Sequence, residues 1–181
     1  MVTDEQLIKS CLSGNVEAYR GIVERYESRI ASVIKSMLGD CPEADDVGQE
    51  TFIRFYKSLS KFKGDSSVNT YLTRIAINLS INELKRRKRK NQRLERISEM
   101  NYETIPGNYQ ETDSLLRDEV NRSILNLEPK FRAVVTLRLI EGYSTRETSE
   151  ILKIPMGTVL SRLARAQEKL RYMLSEVVGV R

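Results

Sequence analysis

Apolar residues recur at intervals of three and four along almost the whole 181-residue chain, and no stretch alternates apolar with polar as a half-buried strand would. That pattern confines the chain to an all-α fold of amphipathic helices. Thr3-Asp4-Glu5-Gln6 has the spacing of a capping box, and Leu7, Ile8 and Cys11 follow on one face until Gly14. Asn15 is placed to cap a long helix whose stripe runs through Tyr19, Ile22, Tyr26, Ile30, Val33, Ile34 and Met37 before Gly39 stops it. Pro42 suits a first helical position, and Glu43, Asp45 and Asp46 favour the positive end of a helix to about Leu59. Lys63-Gly64-Asp65-Ser66-Ser67 is turn-forming, and a fourth helix runs from about Asn69 into Lys85-Arg86-Arg87-Lys88-Arg89-Lys90.

From Asn91 to about Thr112 the periodicity fades around Pro106-Gly107. The expected organisation is therefore two small helical domains, residues 1–90 and 113–181, joined by a linker over 91–112. In the second domain Leu116, Val120, Ile124 and Leu127 recur helically, Pro129 opens a further helix, and Gly142 closes it. Ser144-Thr145-Arg146-Glu147 is another capping box, opening a short helix to about Leu152. The turn Lys153-Ile154-Pro155 leads to a last helix to about Leu174, so these two helices read as a helix-turn-helix.

Composition removes several function classes. Histidine is absent, which excludes Ser-His-Asp and Cys-His triads and His-ligated metal. Cys11 and Cys41 lie far apart without a CxxC, and read as two buried apolar thiols rather than a disulfide or zinc pair. No cofactor or metal is expected. No apolar run approaches the roughly 18 residues that a bilayer demands, and the acidic start Met1-Val2-Thr3-Asp4-Glu5 is unlike a secretory signal, so a cytoplasmic protein without membrane insertion is expected. The net charge of +5 is local: the basic block holds six of the 30 cations, which leaves 24 against 25 acids. Such a block meets phosphate or an anionic membrane surface, or is simply solvated.

Three surfaces carry candidate chemistry. On the last helix Thr158, Ser161, Arg162, Arg165 and Lys169 lie opposite the stripe Val159, Leu163, Ala166, Leu170 and Met173, offering hydroxyls and guanidinium groups to a DNA major groove. On the fourth helix Tyr71, Arg74, Asn78, Asn82 and Lys85 line up beside the loop Gly64, Asp65, Ser66, Ser67 and Asn69. An aromatic, amides and bases together suit single-stranded nucleic acid. On the third helix Asp46, Gln49 and Glu50, at i, i+3 and i+4, share one side. That cluster is open to three readings: a metal, a partner's arginines, or solvent.

In combination the chain resembles the bacterial extracytoplasmic-function sigma factors, the small two-domain members of the sigma-70 class. The resemblance rests on Ala44-Asp45-Asp46-Val47-Gly48-Gln49-Glu50-Thr51-Phe52, on Thr70-Tyr71-Leu72-Thr73-Arg74-Ile75-Ala76-Ile77-Asn78 leading to Arg86-Arg87, and on Leu137-Arg138, Glu141-Gly142-Tyr143-Ser144 and Gly157-Thr158-Val159-Leu160-Ser161-Arg162-Leu163. It implies a non-catalytic subunit that binds core RNA polymerase and directs it to promoters. Asp46, Gln49 and Glu50 would meet the clamp helices of the beta-prime subunit. The loop from Gly64 to Asn69, with Tyr71, Arg74, Asn78, Lys85, Arg86 and Arg87, would capture the melted minus-10 strand. Thr158, Ser161, Arg162, Arg165 and Lys169 would read the duplex minus-35 element. The resemblance also admits an anti-sigma protein as a partner. Tyr71 stands where Trp is more usual, Asn82 where Asp is frequent, Thr148-Ser149 where an apolar-Ala pair is common, and Leu160 where a cation is common. The rival readings are a stand-alone helix-turn-helix repressor, a magnesium nuclease using Asp45, Asp46 and Glu50, and a membrane-surface adaptor.

Overall fold

The computed structural model describes residues 2–62, 64, 66–95 and 112–178, and every regular element among them is helical. Four helices form the first half: α1 (Asp4–Leu12), α2 (Val16–Leu38), α3 (Pro42–Ser58) and α4 (Val68–Glu95), with a 3-10 turn at Leu59–Lys61. The second half holds α5 (Thr112–Asn126), α6 (Pro129–Val135), a π-type turn at Thr136–Ile140, α7 (Thr145–Leu152) and α8 (Met156–Val178). This is the all-helical, two-domain architecture that the periodicity predicts. Among the described residues no helix is long and apolar enough to cross a membrane.

Capping chemistry sets the helix ends. Thr3 accepts the Gln6 amide while the Gln6 side chain returns to the Thr3 amide, and Ser144 and Glu147 repeat the exchange at α7. Asn15 accepts from the amides of Glu17 and Ala18, Pro42 occupies the first turn of α3, and the Ser67 hydroxyl accepts the Thr70 amide at the start of α4. Each such cap is worth about 1 kcal/mol. Gly39 ends α2 at φ +79°, and a Cβ there would stand 3.3 Å from the Leu125 side chain. The positive φ favours glycine, and a Cβ would in addition push the Leu125 side chain of α5 back by a few tenths of an ångström.

Ile22, Ile30, Val33, Ile34 and Met37 of α2, Phe55 of α3, and Leu72, Ala76 and Ile77 of α4 are essentially removed from water. Burial of each large side chain is worth roughly 1.5–3 kcal/mol. The same core continues into the second half through Ala133, Leu137, Tyr143 and Ile151, so the halves are packed on one another. A smaller cluster of Ile124, Leu127, Phe131, Val135 and Ala166 joins α5, α6 and α8.

Polar contacts fasten this packing. Arg132 is only 7% exposed, although it is a cation. Its guanidinium donates to the Met37 carbonyl at 2.5 Å, to Leu127 at 3.0 Å and to the Leu125 carbonyl. Burial, with the Arg87 charge as a smaller cause, pulls its pKa down to about 10. Ser32 donates to Glu141 at 2.7 Å, and Arg29 pairs with Glu141 at 3.6 Å. The Tyr143 hydroxyl accepts from Asn69 Nδ2 and shares a hydrogen bond with Thr73, each at 2.8 Å.

The two thiols differ, which corrects the expectation for one of them. Cys11 is buried, whereas Cys41 is half-buried and its sulfur accepts from the Arg87 guanidinium at 2.9 Å. The reason is its position at the start of α3, under the cationic end of α4.

Candidate nucleic-acid and partner interfaces

α3 presents Asp46 and Gln49 exposed and Glu50 half-buried. Glu50 is tied to Arg54 at 2.7 Å on the next turn, which partly neutralises the acidic side. Beside this cluster lies a groove of about 670 Å³ between α2 and α3, whose walls include Val23, Ile30, Phe52 and Ile53 and whose rim includes Asp45 and Gln49. Ile53 is 45% exposed. An apolar trough with an acidic and amide rim is suited to a helical partner carrying apolar and basic residues. The sequence reading identified the rim and missed the trough; its only local sign was an isoleucine outside the buried stripe.

The candidate face of α4 is less uniform than the spacing suggests. Asn78 and Lys85 are exposed, and Arg74 is half-buried with its Nε atom enclosed and unpartnered. The Tyr71 ring lies 5.3 Å from Phe62 and 5.8 Å from Phe55, as one member of an aromatic cluster. Asn69 is on the opposite side of the helix, about 180° from Asn78 at 100° per residue, and is held by Tyr143. Ser67 caps α4, Ser66 is half-buried and Gly64 is exposed at φ +77°, whereas Asp65 lies outside the described residues. The structure therefore brings together Tyr71, Arg74, Asn78 and Lys85 and separates Asn69 from them.

Two of the expected cations are committed to pairs. Glu83 lies between them, bonded to Arg86 at 2.6 and 2.9 Å and to Arg87 at 3.0 Å. The hydrogen bonds from Arg86 are the main reason its carboxyl titrates below the ordinary glutamate range. Arg87 also reaches Glu43 at 3.3 Å and the Leu38 carbonyl. It ties α4 to the α2–α3 corner, and the positive charge without an ion pair among the described residues of the block falls instead on Lys85, Lys88, Arg89 and Lys90.

In the helix-turn-helix, Lys153 takes the left-handed conformation at φ 53°, and Ser149 closes the turn by donating to the Ile154 carbonyl at 2.6 Å. Val159 and Ala166 are fully buried, which fixes the rotation of α8. Ser161 and Arg165 are exposed, and Thr158 and Arg162 half-buried. Ser161 donates to the Thr158 carbonyl, which leaves its oxygen to accept. Lys169 is engaged elsewhere, bonded to Glu128 at 2.9 Å with its ammonium over the Phe131 ring. Met156 and Leu160 are both 54% exposed, an apolar element at the start of the helix that is free for thymine methyl groups.

Comparison with known proteins gives a consistent set of matches. The profile of sigma-70 region 2 matches residues 22–90, and that of sigma-70 region 4 matches residues 117–170. The chain is 35% identical over 175 residues to the RNA polymerase sigma-H factor of Pseudomonas aeruginosa, covering 91% of this chain and 90% of that one. It is 32% identical over 179 residues to the ECF RNA polymerase sigma factor SigW of Bacillus subtilis, covering 94% and 96%. Among solved structures, CnrH in complex with the cytosolic domain of CnrY superposes with a TM-score of 0.70 at 25% identity, covering 96% of this chain and 97% of that chain.

Proposed function

We propose that this chain, which belongs to the extracytoplasmic-function RNA polymerase sigma factors of the sigma-70 class, divides its work among three surfaces. Its function is that of the family: a non-enzymatic subunit that acts with core RNA polymerase and promoter DNA to start transcription. Asp46, Gln49 and Glu50 and the apolar trough beside them dock on the beta-prime clamp helices. Tyr71, Arg74, Asn78 and Lys85 hold the opened minus-10 strand, with Gly64, Ser66 and Ser67 preceding them and Arg86 and Arg87 behind, while Asn69 stays with Tyr143 in the packed form. Thr158, Ser161, Arg162 and Arg165 read the minus-35 duplex, and Lys169 supports them from the Glu128 pair. Opening the duplex needs only that the chain bind the separated strand more tightly than the paired one. The chain works in the cytoplasm, and an anti-sigma protein is a further partner; the similar CnrH is solved in complex with the cytosolic domain of another protein, CnrY.

One observation carries this reading: an acid-amide cluster on the rim of an exposed apolar trough, on a helix separate from both DNA-facing helices. A stand-alone repressor has no use for such a trough. A geometric consequence follows from the packing of the halves. The two promoter elements lie about 25 base pairs, or roughly 85 Å, apart, whereas Asn78 and Arg162 line the same cavity. The halves therefore separate when both elements are bound, and the packed form is the resting state.

The test is charge reversal on α3. Glu50→Lys should abolish capture of core polymerase while circular dichroism stays unchanged. Undiminished capture rejects the assignment of this face.

A further inference from the structure

Where the halves meet, the walls of one groove repel each other. A cavity of about 430 Å³ lies between α4 and the second half, with Lys85 and Lys88 on one wall and Lys130 and Arg162 on the other. Its one acid, Glu128, is already bonded to Lys130 and Lys169, both at 2.9 Å. Lys85, Lys88 and Arg162 have no ion pair among the described residues. Four cations against one acid leave a local charge of +3 in the groove. Cations facing one another across so small a space raise the free energy of the packed form. The contacts of Tyr143, Glu141 and Arg132 elsewhere in the interface hold it closed against that repulsion.

We propose that this groove is a binding site for a compact polyphosphate anion, bridged by Lys85 and Lys88 from α4 and by Arg162 from α8. Its volume lies within the range of small-ligand sites. Linear phosphates suit several separated cations better than a single tetrahedral anion does, since guanidinium and ammonium groups each take a different phosphate oxygen. Ile81 and Leu152 add an apolar strip to the same groove, so the phosphates are supplied either as inorganic triphosphate or by a nucleoside triphosphate.

The site exists only while the halves are together. Whatever binds it stabilises the packed form by mass action, and so opposes the separation that promoter binding requires. That last consequence rests on the proposed function, but the binding itself does not.

Calorimetric titration of the full chain with sodium triphosphate, against sodium sulfate at matched ionic strength, reads the binding without polymerase or DNA. One triphosphate per chain is expected. Lys88→Gln and Arg162→Gln, on opposite walls, should each weaken it by about 10-fold or more, with helicity unchanged by circular dichroism. ATP in a second arm separates the sources: equal affinity assigns the site to phosphates alone, and tighter binding adds the nucleoside to the apolar strip. The proposal is overturned if sulfate competes as well as triphosphate, if only the α4 substitution matters, or if short DNA strands saturate the groove while triphosphate does not. None of these failures bears on whether Glu50→Lys loses polymerase.

Discussion

The Tyr143 hydroxyl of the second half accepts a hydrogen bond from Asn69 of α4 at 2.8 Å, across 74 residues of sequence. Tyr143 is only 4% exposed, and the Arg29 guanidinium lies 5.2 Å from its ring centre. One phenol thus fastens the two halves at the start of the helix that carries the minus-10 face. Tyr143→Phe keeps the ring and removes the oxygen, which leaves the part-buried Asn69 amide and the buried Thr73 hydroxyl without this partner, at a cost of about 1–3 kcal/mol. The expected result is a melting temperature lower by several degrees, with a larger mean separation of fluorophores placed one on each half.

Arg132 acts at the other end of the same interface, by a different means. Arg132→Met preserves bulk but abandons the carbonyls of Met37, Leu125 and Leu127. Removing charge-assisted hydrogen bonds of this kind costs about 3 kcal/mol. The urea midpoint should fall accordingly, by more than for Tyr143→Phe.

Acid should weaken the α3–α4 corner. The carboxyl of Glu83 is held below the ordinary glutamate range, chiefly by the hydrogen bonds from Arg86. A depressed folded-state pKa means that its contribution is complete above the ordinary value of about 4.3 and is lost as pH falls through the depressed one. Stability followed by urea unfolding should therefore decline as pH drops below about 5. In Glu83→Gln the decline should be shallower, and not absent, because Glu128 and Glu147 are depressed in the same direction by hydrogen bonds from Lys130 and Ser144.

The cations of α8 should separate by role. Arg165 is exposed, without an ion pair among the described residues, and Arg165→Ala should cost about 1–3 kcal/mol on the cognate minus-35 sequence if it contacts a base. Lys169 is bonded to Glu128, so Lys169→Ala should weaken all duplexes slightly and alike. Fluorescence anisotropy of the polymerase-bound chain on cognate and scrambled minus-35 duplexes checks both.

Most of the local structure was legible in the sequence, because caps and stripes are local signals. Thr3 with Gln6, Asn15, Ser144 with Glu147, and Gly39 all end helices as their chemistry predicts. The departures are long-range. Asn69 has the composition of a DNA contact and yet faces Tyr143, and Arg87 belongs to the basic block and yet ties Cys41 and Glu43. Partners 44 to 112 residues away leave no mark on periodicity. Arg132 did leave a faint one, as a lone cation within the buried run Phe131–Leu137.

The most direct test of the division of labour is transcription reconstituted from this chain and core polymerase, with permanganate mapping of unpaired thymines on promoter DNA. Start sites that core polymerase alone does not select are expected. Reactive thymines should be confined to the minus-10 region, and their yield should fall in Asn78→Ala without loss of polymerase binding. Unselective initiation with the purified chain present, or melting indifferent to the α4 face, would contradict this assignment of surfaces.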